Sequence, residues 1–208
     1  MSKTGQGLVE YAIAQLGKPY WWGTFGQTAN AGLLAAKRQQ YPNYYTAGDF
    51  PAQFGRKVHD CVGLIKGYLW CDTPDSEPIY KASQDVAVSG LFMVCPENGS
   101  IDTMPDTPGV CVFMRDMPHV GVYIGGGKVI ECSPAFKNCV QVTACLNIGA
   151  ISGMNGRKWT KHGKLPYITY DTAESPQQGA QGGVFPQPQQ RGGKQRADRK
   201  QYADRAAG

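Results

Sequence analysis

Apolar residues in the first forty positions recur at helical spacing and predict two helices. The first helix carries one apolar stripe, which consists of Leu8, Val9, Ala12, Ile13 and Leu16. Thr4 can cap its first turn, and Gly17 followed by Pro19 ends it. A second helix is predicted between Thr28 and Gln40. The N-terminal part of the chain is therefore expected to be helical.

A third helix is predicted within KVHDCVGLIKGYLW, residues 57–70. Its stripe spans two turns at spacings of three and four residues, and comprises Cys61, Leu64, Ile65, Tyr68 and Leu69. Gly63 and Gly67 lie one turn apart on another side, where a neighbouring segment can approach closely. The cysteine is unusual in its position, because it opens the helix instead of lying within it.

The pattern changes to β after about Pro105. HVGVYI alternates, and KVIEC returns after the turn Gly125–Gly127, which predicts a hairpin. Strands are predicted at 110–114, 119–124, 128–132, 140–144 and 167–170. Helices followed by an antiparallel sheet are typical of the α+β class.

Composition changes again after Tyr170. Residues 171–208 are rich in Gln, Gly, Pro and Arg, and contain six Lys or Arg and four Asp or Glu. Such a segment buries too little apolar surface to offset the entropy of ordering. We predict one domain at 1–170 and a disordered tail at 171–208, with a solvated tail favoured over a tether or a linker to a wall-binding partner.

Charge and cysteine content exclude several classes. The net charge of +5 is mild, and no basic block interleaved with aromatic residues indicates nucleic-acid binding. No stretch reaches the roughly 18 apolar residues of a membrane span, and the first ten residues lack the apolar run of a signal peptide. Seven cysteines without a scaffold pattern suit a reducing compartment. Without a Cys-x-x-Cys pair, no metal and no cofactor are predicted.

Cys61 is a candidate nucleophile, because the N-terminus of a helix stabilises an anion and is expected to lower the pKa of a thiol there. A thiolate needs a histidine that can protonate the leaving group. His162 is expected in a Lys-rich loop, and His59 shares the local segment of Cys61. His119 begins a predicted strand and is the favoured partner.

Glu131 is the candidate for the third polar group, which orients the imidazole. It follows His119 by 12 residues across the predicted hairpin, so the two are expected to be near-opposite neighbours. A carboxylate at this position favours a cationic His119, which in turn favours an anionic Cys61. The alternative is an ordinary strand glutamate that faces solvent.

Four segments resemble the NlpC-type cell-wall cysteine peptidases, which are papain-like, in order and in spacing. They are GKPYWWG (17–23), DCVGLI (60–65), PGVCVFM (108–114) and HVGVYIGGGKVIEC (119–132). The resemblance implies an α+β, papain-like NlpC fold, with N-terminal helices packed on a central antiparallel sheet. It assigns Cys61, His119 and Glu131 as the catalytic triad.

The same resemblance concerns substrate binding. Tyr20 matches an aromatic residue that lies near the catalytic cysteine in the family, and Asp60 precedes the nucleophile; both are predicted to bind substrate.

Three features depart from the family pattern. Val62 replaces the usual serine, Glu131 stands where His, Asn or Gln is more common, and residues 41–57 have no counterpart.

The resemblance implies a peptidoglycan hydrolase that cleaves amide bonds of the stem peptide, often between D-glutamate and a diamino acid. A phage or prophage lysin is one form of this hypothesis. The alternatives are an N-acetylmuramoyl-L-alanine amidase, another acyl transfer on the same fold, and a non-catalytic wall-binding or virion protein. We expect a monomer that is synthesised in the cytoplasm without a signal peptide and acts on the bacterial cell wall after release or delivery.

Overall fold

Four α-helices and nine β-strands form the part of the chain described by the computed structural model, residues 2–170. The helices are α1 (Gly5–Ala14), α2 (Ala31–Gln40), α3 (Cys61–Trp70) and α4 (Val88–Met93). The strands are β1 (Phe25–Thr28), β2 (Lys57–His59), β3 (Glu97–Ser100), β4 (Cys111–Phe113), β5 (Val120–Gly125), β6 (Lys128–Ser133), β7 (Cys139–Cys145), β8 (Gly156–Arg157) and β9 (Lys161–Lys164). The predicted tail, 171–208, lies outside the described residues.

Seven of these strands form one sheet in the order β3-β9-β4-β5-β6-β7-β8, and β1 pairs with β2 separately. Every pair in the large sheet is antiparallel except β7 with the short β8. Helices α1 and α3 pack on each other and on β5, and α3 also contacts β6. The predicted α+β class, with helices on an antiparallel sheet, is confirmed.

Helix α1 begins as predicted, because the Thr4 hydroxyl accepts the N–H of Gly7 at 2.9 Å. The predicted apolar stripe is partly wrong: Ile13 and Leu16 are 49% and 40% exposed. Tyr11 is buried instead. Helix α1 ends at Ala14, so Leu16 lies beyond it, and Ile13 in its last turn faces away from α3 and β5 toward solvent.

Helix α3 is surrounded on all sides, since all ten of its residues are buried. The two glycines make this possible. A Cβ atom on Gly63 would overlap the carbonyl oxygen of Thr24, and one on Gly67 would overlap the Tyr11 hydroxyl. The predicted close approach is confirmed, and the segments that approach are α1 and the start of β1.

The hairpin of β5 and β6 follows the prediction. Gly125, Gly126 and Gly127 have φ angles of 86°, 57° and 70°, in the left-handed region that glycine tolerates best. The strands predicted at 110–114 and 140–144 correspond to β4 and β7. The hairpin matters because it holds His119 just before β5 and Glu131 within β6.

The end of the domain differs from the prediction. Residues 167–170 do not form a strand; Thr169 instead donates its N–H to the carbonyl of Lys3 at 2.9 Å. The strand in this region is β9, between β3 and β4. His162, expected in a loop, lies on β9 and is 7% exposed. The frequent lysines hid this strand, because they lie on its solvent-facing positions and at its ends.

The segment without a family counterpart, residues 41–57, packs into a small second core. This core is formed by Trp21, Ala29, Leu34, Tyr45, Phe50 and Val58. It buries Leu34 of α2, the helix that lines the same cavity as the first turn of α3. Among residues 2–170, no helix has the length and apolarity needed to cross a bilayer.

Candidate active site

Cys61 is the first residue of α3, and the side chain before it fixes that position. One carboxylate oxygen of Asp60 accepts the N–H of Gly63 at 2.6 Å, which caps the helix. The other accepts the N–H of Gly23 at 2.9 Å. Asp60 therefore ties the Trp-Gly motif to the N-terminus of α3. Both of its oxygens already accept backbone N–H groups, which is a structural role. Its role in substrate binding stays a prediction.

His119 directly precedes β5, the strand that contacts α3. The backbone N–H of the next residue, Val120, is near enough to the Cys61 sulfur to lower the pKa of the thiol, against the larger effect of burial. The imidazole is 9% exposed and stacks on Trp159, with ring centroids 5.7 Å apart and planes at 18°. The backbone of residue 120, next to His119, therefore lies near Cys61, although the two positions are 59 residues apart in the sequence.

Glu131 is completely buried, and its Oε2 lies 2.6 Å from the Nε2 of His119. The predicted proximity across the hairpin is what the structure shows, and the alternative of a solvent-facing glutamate is wrong. An ionised carboxylate only accepts hydrogen bonds, so the Nε2 of a neutral His119 must carry the proton. The lone pair of the imidazole is then on Nδ1, the nitrogen left for a thiol.

Two residues that the sequence analysis did not identify also bind Glu131. Arg157 donates from Nε to both carboxylate oxygens, at 2.6 and 2.8 Å, and from Nη2 to the Ser133 hydroxyl at 2.9 Å. Thr143 donates its hydroxyl at 2.7 Å. Arg157 lies on β8, a strand of two residues in an unpatterned segment, so no sequence signal marked it. Glu131 is therefore shared between an imidazole and a guanidinium.

These partners decide the charge of Glu131. Burial by itself raises the pKa of the carboxyl, but the hydrogen bonds from His119 and Thr143 and the charge of Arg157 outweigh it. The net effect is a lowered pKa, so Glu131 is ionised at neutral pH. The site has a fixed negative charge that is already partly balanced by Arg157.

The thiol of Cys61 differs from the sequence-based expectation. Burial raises its pKa to about 12, and the neighbouring charge of Asp60 acts in the same direction. The N–H groups of Val62 and Val120 oppose this shift but do not outweigh it. The predicted lowering by the helix N-terminus is wrong for the unliganded protein, because the thiol is only 9% exposed. A thiol in this state needs a base at the moment of attack.

Tyr20 lies beside these groups without lining the cavity described below. Burial raises the pKa of its hydroxyl, the nearby charge of Asp60 raises it further, and Cys61 lies close enough to affect it in the same direction. Its backbone forms a bridge with His59. The expected proximity of Tyr20 to the cysteine agrees with these interactions, while its role in substrate binding stays a prediction.

A cavity of about 570 Å³ opens at Cys61. One wall is the first turn of α3, a second is α2 with Tyr41, and a third is the segment 85–89. Met117 and Pro118, which lead into His119, lie on its rim. Such a volume is in the range of small-molecule and peptide sites. The nucleophile candidate is therefore accessible to a substrate of a few residues.

Comparisons with known proteins point to one group of solved structures. The chain is similar to the peptidoglycan hydrolase RipB from Mycobacterium tuberculosis, with 18% identity and a TM-score of 0.45 over 80% of this chain and 65% of that one, just under two thirds of its length. It is also similar to a P60 domain of an antigen from M. avium subspecies paratuberculosis, with 20% identity and a TM-score of 0.41 over 75% and 94% of the two chains.

A third similar structure is RipD from M. tuberculosis, described as a non-catalytic NlpC/p60 domain protein adapted to peptidoglycan binding. Its identity is 15% and its TM-score 0.41, over 77% of this chain and 97% of that one. No family model matches the chain, and no curated protein sequence matches it. These three structures are thus a peptidoglycan hydrolase, a P60 domain and an NlpC/p60 domain protein.

Proposed function

We propose that this protein is a peptidoglycan hydrolase of the NlpC/p60 type, and that Cys61, His119 and Glu131 cleave an amide bond of the stem peptide. The observation that carries the proposal is the 2.6 Å contact between His119 and a buried, ionised Glu131, next to a cavity that Cys61 lines. This arrangement orients an imidazole for proton transfer.

The cleavage follows from the protonation states described above. As the Cys61 sulfur bonds to the substrate carbonyl carbon, His119 Nδ1 takes the thiol proton, and Glu131 stabilises the imidazolium that forms. His119 then protonates the departing amine while the C–N bond breaks, which leaves a thioester on Cys61. Water attacks the thioester with His119 again as the base, releasing a carboxylic acid and the free thiol.

This sequence of steps replaces the resting thiolate–imidazolium pair expected from the helix N-terminus. Since burial keeps the thiol protonated, the proton moves only when substrate is in place. Substrate binding also displaces water from the cavity, which strengthens the electrostatic interactions within it. The proposal therefore predicts low reactivity of Cys61 toward small alkylating agents in the free protein.

The test is digestion of purified peptidoglycan, followed by mass spectrometry of the released muropeptides. The wild-type protein should release fragments with a new amine terminus within the stem peptide, and their masses identify the bond, which we propose joins D-glutamate to a diamino acid. Cys61→Ser should lower the rate at least about a thousandfold. Cys139→Ser is the matched control, since this thiol is partly exposed and does not line the cavity.

Three results would contradict the proposal. If Cys61→Ser digests walls as fast as the wild type, the thiol has no part in the reaction. If the wild type binds walls and releases nothing, the protein is a wall-binding module. Release of intact stem peptides would indicate the amidase alternative. Delivery of the protein to the wall from the cytoplasm, as a lysin or otherwise, remains a proposal, which cell fractionation tests.

A further inference from the structure

The cavity beside Cys61 has two lysine ammonium groups in its walls, and they differ in their partners. Lys66 forms an ion pair with Asp85, whose other oxygen accepts the Tyr80 hydroxyl. Lys37 has no carboxylate within ion-pair distance among residues 2–170. Lys37 is nevertheless buried, with only 8% of its surface exposed. One cation of the cavity is balanced within the protein, and the other is not.

The surroundings of Lys37 hold its ammonium without neutralising it. Its Nζ donates to the side-chain oxygen of Gln40 at 3.0 Å, and it lies 5.4 Å from the ring centroid of Tyr41 and 6.0 Å from that of Phe25. Burial lowers its pKa, and Asp60 and Asp85 oppose that shift. A desolvated ammonium without a counterion is unfavourable, and an anionic ligand removes the cost.

The acidic groups that line the cavity are committed elsewhere. Both oxygens of Asp60 accept backbone N–H groups, from Gly23 and Gly63. Asp85 is held by Lys66 and Tyr80. Neither carboxylate is free to turn toward Lys37 without breaking these contacts. A carboxylate partner for Lys37 would therefore have to come from outside residues 2–170.

Lys37 lies on α2, in the segment between the Trp-Gly motif and Asp60. The small second core fixes this helix, because Leu34, one turn before Lys37, is buried in it. The ammonium is thus presented to the cavity from a packed helix, which suits recognition better than a loop position.

We propose that Lys37 determines substrate specificity by binding a free carboxylate on the residue whose carbonyl Cys61 attacks. This inference rests on the proposed function. When a glutamyl residue is joined through its side-chain carbonyl, its α-carboxylate remains free and lies a few bonds from the scissile amide. The cavity then takes a peptide that is anionic at this residue and discriminates against the same peptide with a neutral carboxamide there.

The experiment uses the full-length protein and two synthetic peptides, L-Ala-γ-D-Glu-L-Lys and its glutamyl α-carboxamide, both amidated at the C-terminus. The wild type should cleave the acid with a kcat/KM roughly tenfold to a hundredfold higher than the amide. Lys37→Met keeps the apolar stem of the side chain and removes the charge. In this variant kcat/KM for the acid peptide should fall by that factor, and kcat/KM for the amide peptide should change little. Lys37→Arg should retain part of the preference for the acid.

Arg38→Met is the matched control, because it removes the same charge from the next, exposed position of α2. It should leave the ratio of acid to amide unchanged. An equal loss on both peptides in Lys37→Met would assign Lys37 a structural role and overturn the proposal. A wild type that cleaves both peptides equally well would overturn it too.

Binding separates this proposal from the proposed function. If the wild type cleaves neither peptide, the affinities of both for the Cys61→Ser protein are measured by calorimetry. Tighter binding of the acid, lost in Cys61→Ser/Lys37→Met, supports the carboxylate site even though hydrolysis has failed. Equal affinities for acid and amide, or no binding of either, overturn it.

Discussion

His59 and His119 are both almost completely buried near Cys61, yet their surroundings are opposite. His59 lies two residues before the cysteine, in β2, and its Nε2 contacts the Tyr11 hydroxyl at 3.0 Å. Its Nδ1 has no partner among the described residues. His119 is 58 residues away in sequence and contacts an ionised carboxylate. The comparison shows that charge around the ring, and not distance along the chain, decides which histidine can carry a proton.

The electrostatics of His59 follow from the same contrast. Burial lowers its pKa to about 3, and the charges of Lys57 and Lys18 act in the same direction. It is therefore a neutral core residue, which links α1 to β2 through Tyr11. Nothing around it stabilises an imidazolium, whereas Glu131 does so for His119. Each prediction below weakens or reverses one side of this contrast.

The largest effect is expected from removing the site imidazole. His119→Ala should reduce wall hydrolysis at least about a thousandfold, because no other described histidine is placed to accept the thiol proton. Far-UV circular dichroism should remain unchanged. His59→Gln keeps a polar group for Tyr11, and its activity per folded molecule should stay within a few fold of the wild type. Comparable losses in the two variants would show that the two histidines do not differ in function.

The second effect concerns stability in acid. The folded pKa of His59, about 3, is below the unfolded value near 6.5. The unfolded chain thus binds a proton first as the pH falls. The stabilisation is complete above about pH 6.5 and is lost between there and about pH 3; down to pH 4 the loss is on the order of 3 kcal/mol.

Urea titrations at pH 7 and pH 4 measure this loss. His59→Gln should show a flatter dependence than the wild type, since the titrating group is gone. An identical dependence in both proteins would mean that His59 is accessible to protons in the folded state.

A smaller effect is expected from removing the carboxylate beside His119. Glu131→Gln leaves the partly buried Arg157 guanidinium without its carboxylate partner, which should cost about 3 kcal/mol of stability. It should also disfavour the imidazolium that forms when His119 takes the thiol proton, so we expect a moderate loss of wall-hydrolysis activity.

The double variant Glu131→Gln/Arg157→Met should recover part of the lost stability, because neither charge is then left alone. Chemical denaturation of the single and double variants measures the coupling. Additive losses would show that Arg157 and Glu131 do not act as a pair.

The smallest effect is expected at Thr143. Thr143→Val preserves shape and removes one hydrogen bond to Glu131, so we expect a loss of about 1 kcal/mol and a change in activity of a few fold. Thr160→Val is a suitable control, since its hydroxyl makes only a 3.3 Å contact with a backbone carbonyl. A larger effect at Thr160 would indicate that hydroxyl removal acts through the sheet and not through Glu131.

Local patterns in the sequence were sufficient to predict the parts of the site that lie on or beside a regular helix or hairpin. The stripe from Cys61 to Leu69 predicted α3, and alternation around three glycines predicted the β5–β6 hairpin that brings His119 to Glu131. In both cases the pattern depends on near neighbours, and the structure follows it.

Contacts between distant segments were not predictable in the same way. Arg157 reaches Glu131 from a strand of two residues, and Lys37 faces the cavity only because the small second core positions α2. The raised pKa of Cys61 also depends on burial by the surrounding elements, which no single segment encodes. The sequence thus identified the candidate chemistry, while its electrostatic setting depended on tertiary packing.

The complete burial of α3 has a consequence for how the protein opens. A helix whose ten residues are all buried cannot detach without disrupting the packing of α1, β1 and the sheet. The amide protons from Leu64 to Leu69 should therefore exchange with deuterium only through global unfolding, at the slowest rate in the domain. Cys61 belongs to this helix. Wall-hydrolysis activity should therefore be lost only at the denaturant concentrations at which the whole domain unfolds, and local fluctuation should cause no earlier loss.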